Sequence, residues 1–501
     1  MSARSLMIQG TMSGVGKSLL VAGLCRVLAQ DGVRVAPFKS QNMALNSAIT
    51  AEGLEMGRAQ VVQAEAAGIE PLAAMNPILL KPTTDMGSQV IVRGRPLGTM
   101  AARDYFAFRH TLKDQIREAY DELAASYDVI LIEGAGSPAE VNLKRDDIVN
   151  MGLAEMVDAP VALVGDIDRG GVFAQLIGTM MLLEEHERRR VKGSVVNKFR
   201  GDVTILEPGL DILRDKMGVP VLGVVPYMQL DIDDEDSLSD RLGVRRSAGL
   251  VDVAVVRLPK ISNFTDFIAL EAVESVGLRY VTRPAELGNP DLIIIPGTKA
   301  TMDDLRWLRT SGLEAAILRA ADRGCAVMGI CGGYQMLGEH ISDPEGLEGS
   351  GEMTGMGLLP VRTVFGHEKR TVRSDGAFLE VEGLLAPLSG RPVSGYEIHM
   401  GRTVRMGGHP LLTLGRNGGH VIEDGCQQGN VYGCYLHGIF DQSEVTRAIA
   451  QALLSAKGLD VSAVQACDMA RYRQQQYDLL ADGVRASLDM ERIYQIIEEG
   501  A

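Results

Sequence analysis

Two short stretches of the sequence carry side chains whose types and spacing can do chemistry. The first is Gly10-Thr11-Met12-Ser13-Gly14-Val15-Gly16-Lys17-Ser18. It follows an apolar run and opens an amphipathic stretch, the strand-to-helix setting in which glycines let backbone amides close around phosphates. A helix N-terminus adds partial positive charge there. Lys17 would neutralise the β- and γ-phosphates, and the Ser18 hydroxyl would ligate Mg²⁺. Thr11 stands where the strict pattern has its first glycine. The second stretch is Gly329-Ile330-Cys331-Gly332-Gly333-Tyr334-Gln335. A nucleophile between small residues after a strand marks a tight elbow that exposes the side chain beside a helix N-terminus, a placement that lowers a thiol pKa. The Gly332 amide, with a second amide from the loop Pro296-Gly297-Thr298, could bind an oxyanion. A thiol also needs a base. His437 in GCYLHG and His399 in GYEIHMGRT compete for that place, whereas Cys325 reads as core.

These residues need strand ends to hold them. LMIQG at 6–10, VILIEGAG at 129–136, VALVGD at 161–166 and VKGSVVN at 191–197 are short β-branched runs of the kind buried on both faces of a parallel sheet. Helical stretches such as Lys17–Gln30 and Arg109–Ser126 lie between them. Alternation of strand and helix predicts α/β architecture with ligands at the carboxyl ends of the strands. A second series runs through VAVVRLP (253–259), LIIIPGT (292–298), CAVMGICGG (325–333) and VYGCYLHG (431–438). The expectation is therefore two doubly wound parallel-sheet domains, over 1–235 and 251–445. A charge-dense linker would span 236–250, and a helical tail 446–501.

Composition narrows the function. The chain has 501 residues, 46% apolar and 23% charged, as in ordinary globular proteins. With 50 basic against 65 acidic residues the net charge is −15, which argues against broad nucleic-acid binding. No apolar run is long enough to span a membrane. The first ten residues lack a secretory leader pattern, so a reducing cytoplasm is the expected address. Six cysteines without C-x-x-C spacing form neither a disulfide scaffold nor a structural zinc site.

The loop variant Gly-Thr-x-x-x-Val-Gly-Lys-Ser resembles the dethiobiotin synthetase group of P-loop enzymes, which use ATP to activate a carboxylate. The resemblance implies roles for further residues. Lys39 in APFKSQN would hold the transferring phosphoryl group. Glu133 in IEGAGS would ligate Mg²⁺, with Glu55 as a second acidic ligand. Asn197 in VVNKFRGD would read the adenine edge. Partition-type switch ATPases carry a lysine where Met12 stands. The segment around Cys331, with a histidine near the domain's end, is similar to class I glutamine amidotransferases, in which the cysteine forms a thioester and releases ammonia. That likeness selects His437 as the base. The common H-x-E glutamate is replaced by Ile439, so the third triad member is either missing or supplied from elsewhere; a less firmly oriented histidine and a modest glutaminase that works best when coupled to the other site are expected.

Together the halves suggest an ATP-dependent amide ligase that takes nitrogen from glutamine and passes ammonia along a sheltered path. Across nearly its whole length the sequence resembles the cobyric acid synthase family. The likeness rests on PFKSQNMALNS, EMGRAQVVQAEAAG, NPILLKP, GDIDRGGVFA and NKFRGD as well as on the cysteine and histidine segments. It implies amidation of four peripheral carboxylates (b, d, e, g) of adenosylcobyrinic acid a,c-diamide, with one ATP and one glutamine each. The alternatives are the a,c-diamide synthase, which carries a K-x-G-P-D type segment where this chain has Lys39-Ser40-Gln41-Asn42-Met43; a CTP synthase, which keeps the H-x-E glutamate; and a P-loop switch. The expected partners are glutamine and a corrinoid polycarboxylate, with homo-oligomerisation left open. Lys81, Arg93, Arg95, Arg169 and Arg200 are candidates to offset the substrate's negative charge.

Overall fold

The apolar runs form the strands they predict. In the computed structural model the described residues are 3–84, 87–232, 249–348, 351–415, 420–462, 464–465 and 467–501. The expected linker at 236–250 falls outside them except for its last two positions. The described chain divides into two compact units.

The first unit comprises Met1–Ala44, Thr50–Glu235 and Arg473–Ala501. Its core sheet has six parallel strands in the order Val221–Pro226, Val191–Phe199, Val161–Asp166, Arg4–Gly10, Val129–Glu133, Val35–Phe38. Every residue of Val129–Glu133 and of Val161–Asp166 is buried, which is why these runs are apolar without alternation. The strand order reverses beside Arg4–Gly10, so the loop that follows it opens at a topological switch point. A smaller four-stranded sheet contains Gln41–Met43, Ile78–Thr84, Gly87–Val92 and Arg95–Ala101.

The second unit comprises Leu45–Ile49 and Asp236–Tyr472. Its parallel strands run in the order Val276–Val281, Val251–Val256, Leu292–Ile295, Ala326–Ile330, Val431–Cys434, and Cys426–Gln428 closes the edge antiparallel. A second, mostly antiparallel sheet is built on the long hairpin of Val361–Phe378 with Pro392–Arg405.

The C-terminal helices do not form a segment of their own. Residues up to Tyr472 belong to the second unit, whereas Arg473–Ala501 belongs to the first. In the helix Met469–Ser487, the residues Tyr477, Leu480, Ala481 and Val484 share one face and enter the core with Leu20, Leu24 and Leu28 of the helix Lys17–Gln30. The approach is so close that a Cβ on Gly23 would lie 2.7 Å from Val484 Cγ2. Arg26–Asp478 (2.8 Å) and Arg485–Asp31 (2.9 Å) border the seam.

Candidate functional site

In the first unit, the loop after Arg4–Gly10 opens the helix Lys17–Gln30. Gly14 and Gly16 adopt φ values of 73° and 92°, the left-handed region where a side chain is strained. Space forbids one as well, because a Cβ on Gly16 would sit 2.3 Å from Asn197 Nδ2. Lys17 is buried, with Nζ 3.3 Å from the carbonyls of Met12 and Gly136. Ser18 Oγ donates to Glu133 Oε1 at 2.8 Å, and Lys39 Nζ reaches the same oxygen at 2.7 Å. Lys39 and Glu133 are both buried. Such a pair holds only with further hydrogen bonds, and these come from Gln63 and Gln60, whose Nε2 atoms lie 2.6 and 3.4 Å from Glu133 Oε2. Both glutamines occupy one face of the helix Arg58–Ala66. The strand ends of Arg4–Gly10, Val35–Phe38 and Val129–Glu133 thus place a P-loop lysine, a second lysine and a carboxylate side by side.

In the second unit, Cys331 lies between the strand Ala326–Ile330 and the short helix Gly332–Leu337, with φ 51° and ψ −108°. That conformation is costly for a non-glycine residue and marks functional elbows. The flanking glycines are sterically required, since a Cβ on Gly333 would lie 2.0 Å from Ile295 O and one on Gly329 2.7 Å from Gly333 O. Cys331 is among the groups that raise the His437 pKa, its own Sγ lies 3.7 Å from Ile398 O, and His437 Nδ1 lies 2.7 Å from Asp266 Oδ2. Asp266 Oδ1 accepts the Gly438 N–H at 3.0 Å, so both carboxylate oxygens are fixed. Burial disfavours the charged imidazole, but the neighbouring Asp266 carboxylate and Cys331 outweigh it and hold the His437 pKa well above its ordinary value. The loop after Leu292–Ile295 meets the same centre. A Cβ on Gly297 would lie 2.9 Å from His437 Cε1, and one on Gly332 2.7 Å from Thr298 Cγ2. His399 is engaged elsewhere, with Nδ1 2.8 Å from Gly401 O, Nε2 3.5 Å from Glu397, and its ring stacked on Tyr435.

Comparison with known proteins identifies both halves of the chain. Residues 6–237 match the model of the CobQ/CobB/MinD/ParA nucleotide binding domain, and residues 252–445 that of the CobB/CobQ-like glutamine amidotransferase domain. The cobyric acid synthase of Ruminiclostridium cellulolyticum is 58% identical over 99% of this chain and 98% of its own. That of Lachnoclostridium phytofermentans is 55% identical over 99% and 100%, and that of Photorhabdus laumondii 52% over 99% and 98%. The chain belongs to the cobyric acid synthase family. Like other cobyric acid synthases it is a ligase with an amidotransferase domain.

Not every residue expected of a cobyric acid synthase site joins these two clusters. Glu55 is paired with Lys81 at 2.8 Å, both buried. Asn197 directs Nδ2 to Val15 O at 2.7 Å, bracing the loop from behind. Of the basic candidates, Arg93 pairs with Glu122 and Arg200 with Asp168, while Arg169 lies 3.8 Å from Asp166, which Lys198 approaches more closely at 3.0 Å. Sequence reasoning missed Asp266, Gln60 and Gln63. The two glutamines carried a signal, because polar residues at i and i+3 in a stretch as apolar as AQVVQA need buried partners. Asp266 carried none, since it lies 171 residues from His437. Among the described residues no group of His, Cys, Asp and Glu forms a metal cluster, and no helix is long and apolar enough to cross a membrane.

Proposed function

We propose that this chain converts adenosylcobyrinic acid a,c-diamide to adenosylcobyric acid by amidating the b, d, e and g carboxylates, each at the expense of one ATP and one glutamine. The observation that carries this reading is the presence, in one chain of this family, of a Cys331–His437–Asp266 relay and a Lys17–Ser18–Lys39–Glu133 cluster.

At the thiol centre, the Cys331 sulfur attacks the glutamine side-chain carbonyl carbon while His437 passes a proton to the leaving nitrogen, so ammonia departs and a thioester remains. The amides of Gly297 and Gly332 face the developing oxyanion. Water, activated by His437, hydrolyses the thioester to glutamate and frees the thiol. In the other unit, a substrate carboxylate oxygen attacks the γ-phosphorus of ATP and ADP leaves. Lys17 and Lys39 offset the negative charge on the transferring group. Ammonia then attacks the acyl phosphate carbon and inorganic phosphate departs with the C–O bond, leaving an amide. Ser18 Oγ and the Glu133 carboxylate, 2.8 Å apart, are hard oxygen donors that suit Mg²⁺, which when bound neutralises phosphate charge. Glu55 is not assigned to this site.

The test is incubation with ATP, Mg²⁺, glutamine and the a,c-diamide, followed by product mass. Four successive amide gains are expected. Cys331→Ser should lose glutamine-dependent amidation yet keep it with added ammonium. Amidation that stops elsewhere, acts only on cobyrinic acid whose a and c carboxylates are still free, or fails with ammonium in the variant would overturn the reading.

A further inference from the structure

The stretch Leu45–Ile49 begins six residues after Lys39 in the sequence, yet it belongs to the second unit, while Ala44 and Thr50 on either side belong to the first. Within the second unit it meets the supports of the thiol centre. Asn46 Oδ1 accepts the backbone N–H of Asn263 at 2.8 Å, and the Ser47 N–H donates to Asn263 Oδ1 at 3.3 Å. All three residues are buried. Asn263 holds φ 52° and ψ 40°, a left-handed conformation that a non-glycine residue keeps only with local support, and starts the turn Phe264–Phe267. Asp266 sits on that turn, with its N–H bonded back to Asn263 O at 3.0 Å. The preceding Ser262 donates its N–H to Gly297 O at 2.9 Å. A second line runs through Tyr396. Its hydroxyl donates to Ser47 O at 3.2 Å, its backbone exchanges hydrogen bonds with His437 at 3.1 and 2.9 Å, and its ring stacks on the imidazole with centroids 5.4 Å apart.

We propose that Asn46 and Ser47 are positioning residues of the thiol centre: they lock Asn263 and Tyr396 so that Asp266 and His437 are presented to Cys331. The inference rests on the reading of Cys331 as the glutaminase nucleophile. It means that the amidotransferase segment 252–445 does not contain everything that shapes its own site, because a short insertion from the nucleotide-binding half of the sequence supplies the remaining braces.

Full-length Asn46→Ala and, separately, Tyr396→Phe are assayed with glutamine and with ammonium as nitrogen source. Misplacing a general base by a fraction of an ångström should lower glutamine-dependent kcat about tenfold. The KM for glutamine should stay within about twofold, since the loss falls on the transition state. The ammonium-dependent rate should equal that of the parent. The alkaline limb of the glutamine-dependent pH profile should move to lower pH, because a loosened Asp266 supports the imidazolium less. An unchanged glutamine-dependent rate overturns the proposal. So does a parallel fall of both rates, which marks a folding or synthetase defect, or a lower kcat with an unmoved limb, which marks packing alone. The Cys331→Ser control separates the levels. If it still uses glutamine, the nucleophile assignment fails and the inference with it. If it does not, while Asn46→Ala and Tyr396→Phe behave as the parent, only the positioning role is lost.

Discussion

At the residue scale the thiol centre turns on Asp266. His437 is buried, and burial alone would keep its ring neutral. The carboxylate 2.7 Å away reverses that balance and raises the imidazole pKa. A pKa raised by folding contributes stability that is fully present below the unfolded imidazole value, about 6.5, and lost as pH rises through the folded one. Asp266→Asn keeps the shape but removes the charge and permits the wrong tautomer. Glutamine-dependent turnover should fall by about 10²-fold or more, and its alkaline limb should shift to lower pH, while ammonium-dependent amidation persists. Steady-state rates across pH with both nitrogen sources check this, and an unaltered limb would show that Asp266 does not set the base. The residue was illegible in the sequence because the familiar H-x-E spacing points to position 439, where Ile439 stands fully buried. Of the two alternatives that Ile439 left open, a missing third member or one supplied from elsewhere, the geometry matches the second, with Asp266 of a distant turn beside the imidazole.

At the scale of elements, the parallel strands were the easiest part to read. A strand covered on both faces must be apolar throughout, and VILIE and VALVGD are. The hairpin of Val361–Phe378 with Pro392–Arg405 escaped notice because it is only partly covered, so its polar and charged residues masked the strand period. The tail was legible as helix, but its docking was not. Met469–Ser487 lays Tyr477, Leu480 and Val484 against Lys17–Gln30, the helix that carries the P-loop lysine. Leu480 is fully buried, so Leu480→Ala should cost about 3 kcal/mol from lost burial and the cavity left behind. Denaturant unfolding reads this directly. A cost well under that would mean that the tail does not support the first unit.

At the scale of the whole molecule, the two units are not consecutive in sequence. The first regains the chain after Tyr472, and the second borrows Leu45–Ile49. The proposed division of labour requires ammonia made in one unit to be used in the other before it is protonated or escapes. With glutamine labelled at the amide by ¹⁵N and an equal amount of unlabelled ammonium in solution, the new amides should retain nearly all the label. Dilution of the label in proportion to the pool would show that the nitrogen passes through bulk solvent.

The sequence by itself determined the chemistry available and the fold class. A phosphate loop, a thiol on an elbow and buried parallel strands are local patterns, set by backbone sterics and by which faces must shed water within a few residues. Tertiary structure alone decided which distant groups meet these patterns. Asp266 finds His437, Gln60 and Gln63 find Glu133, and Glu55 finds Lys81. Such pairings arise because a buried charge or amide must be satisfied by whatever polar group the packed chain brings within reach, and that reach has no fixed separation along the sequence.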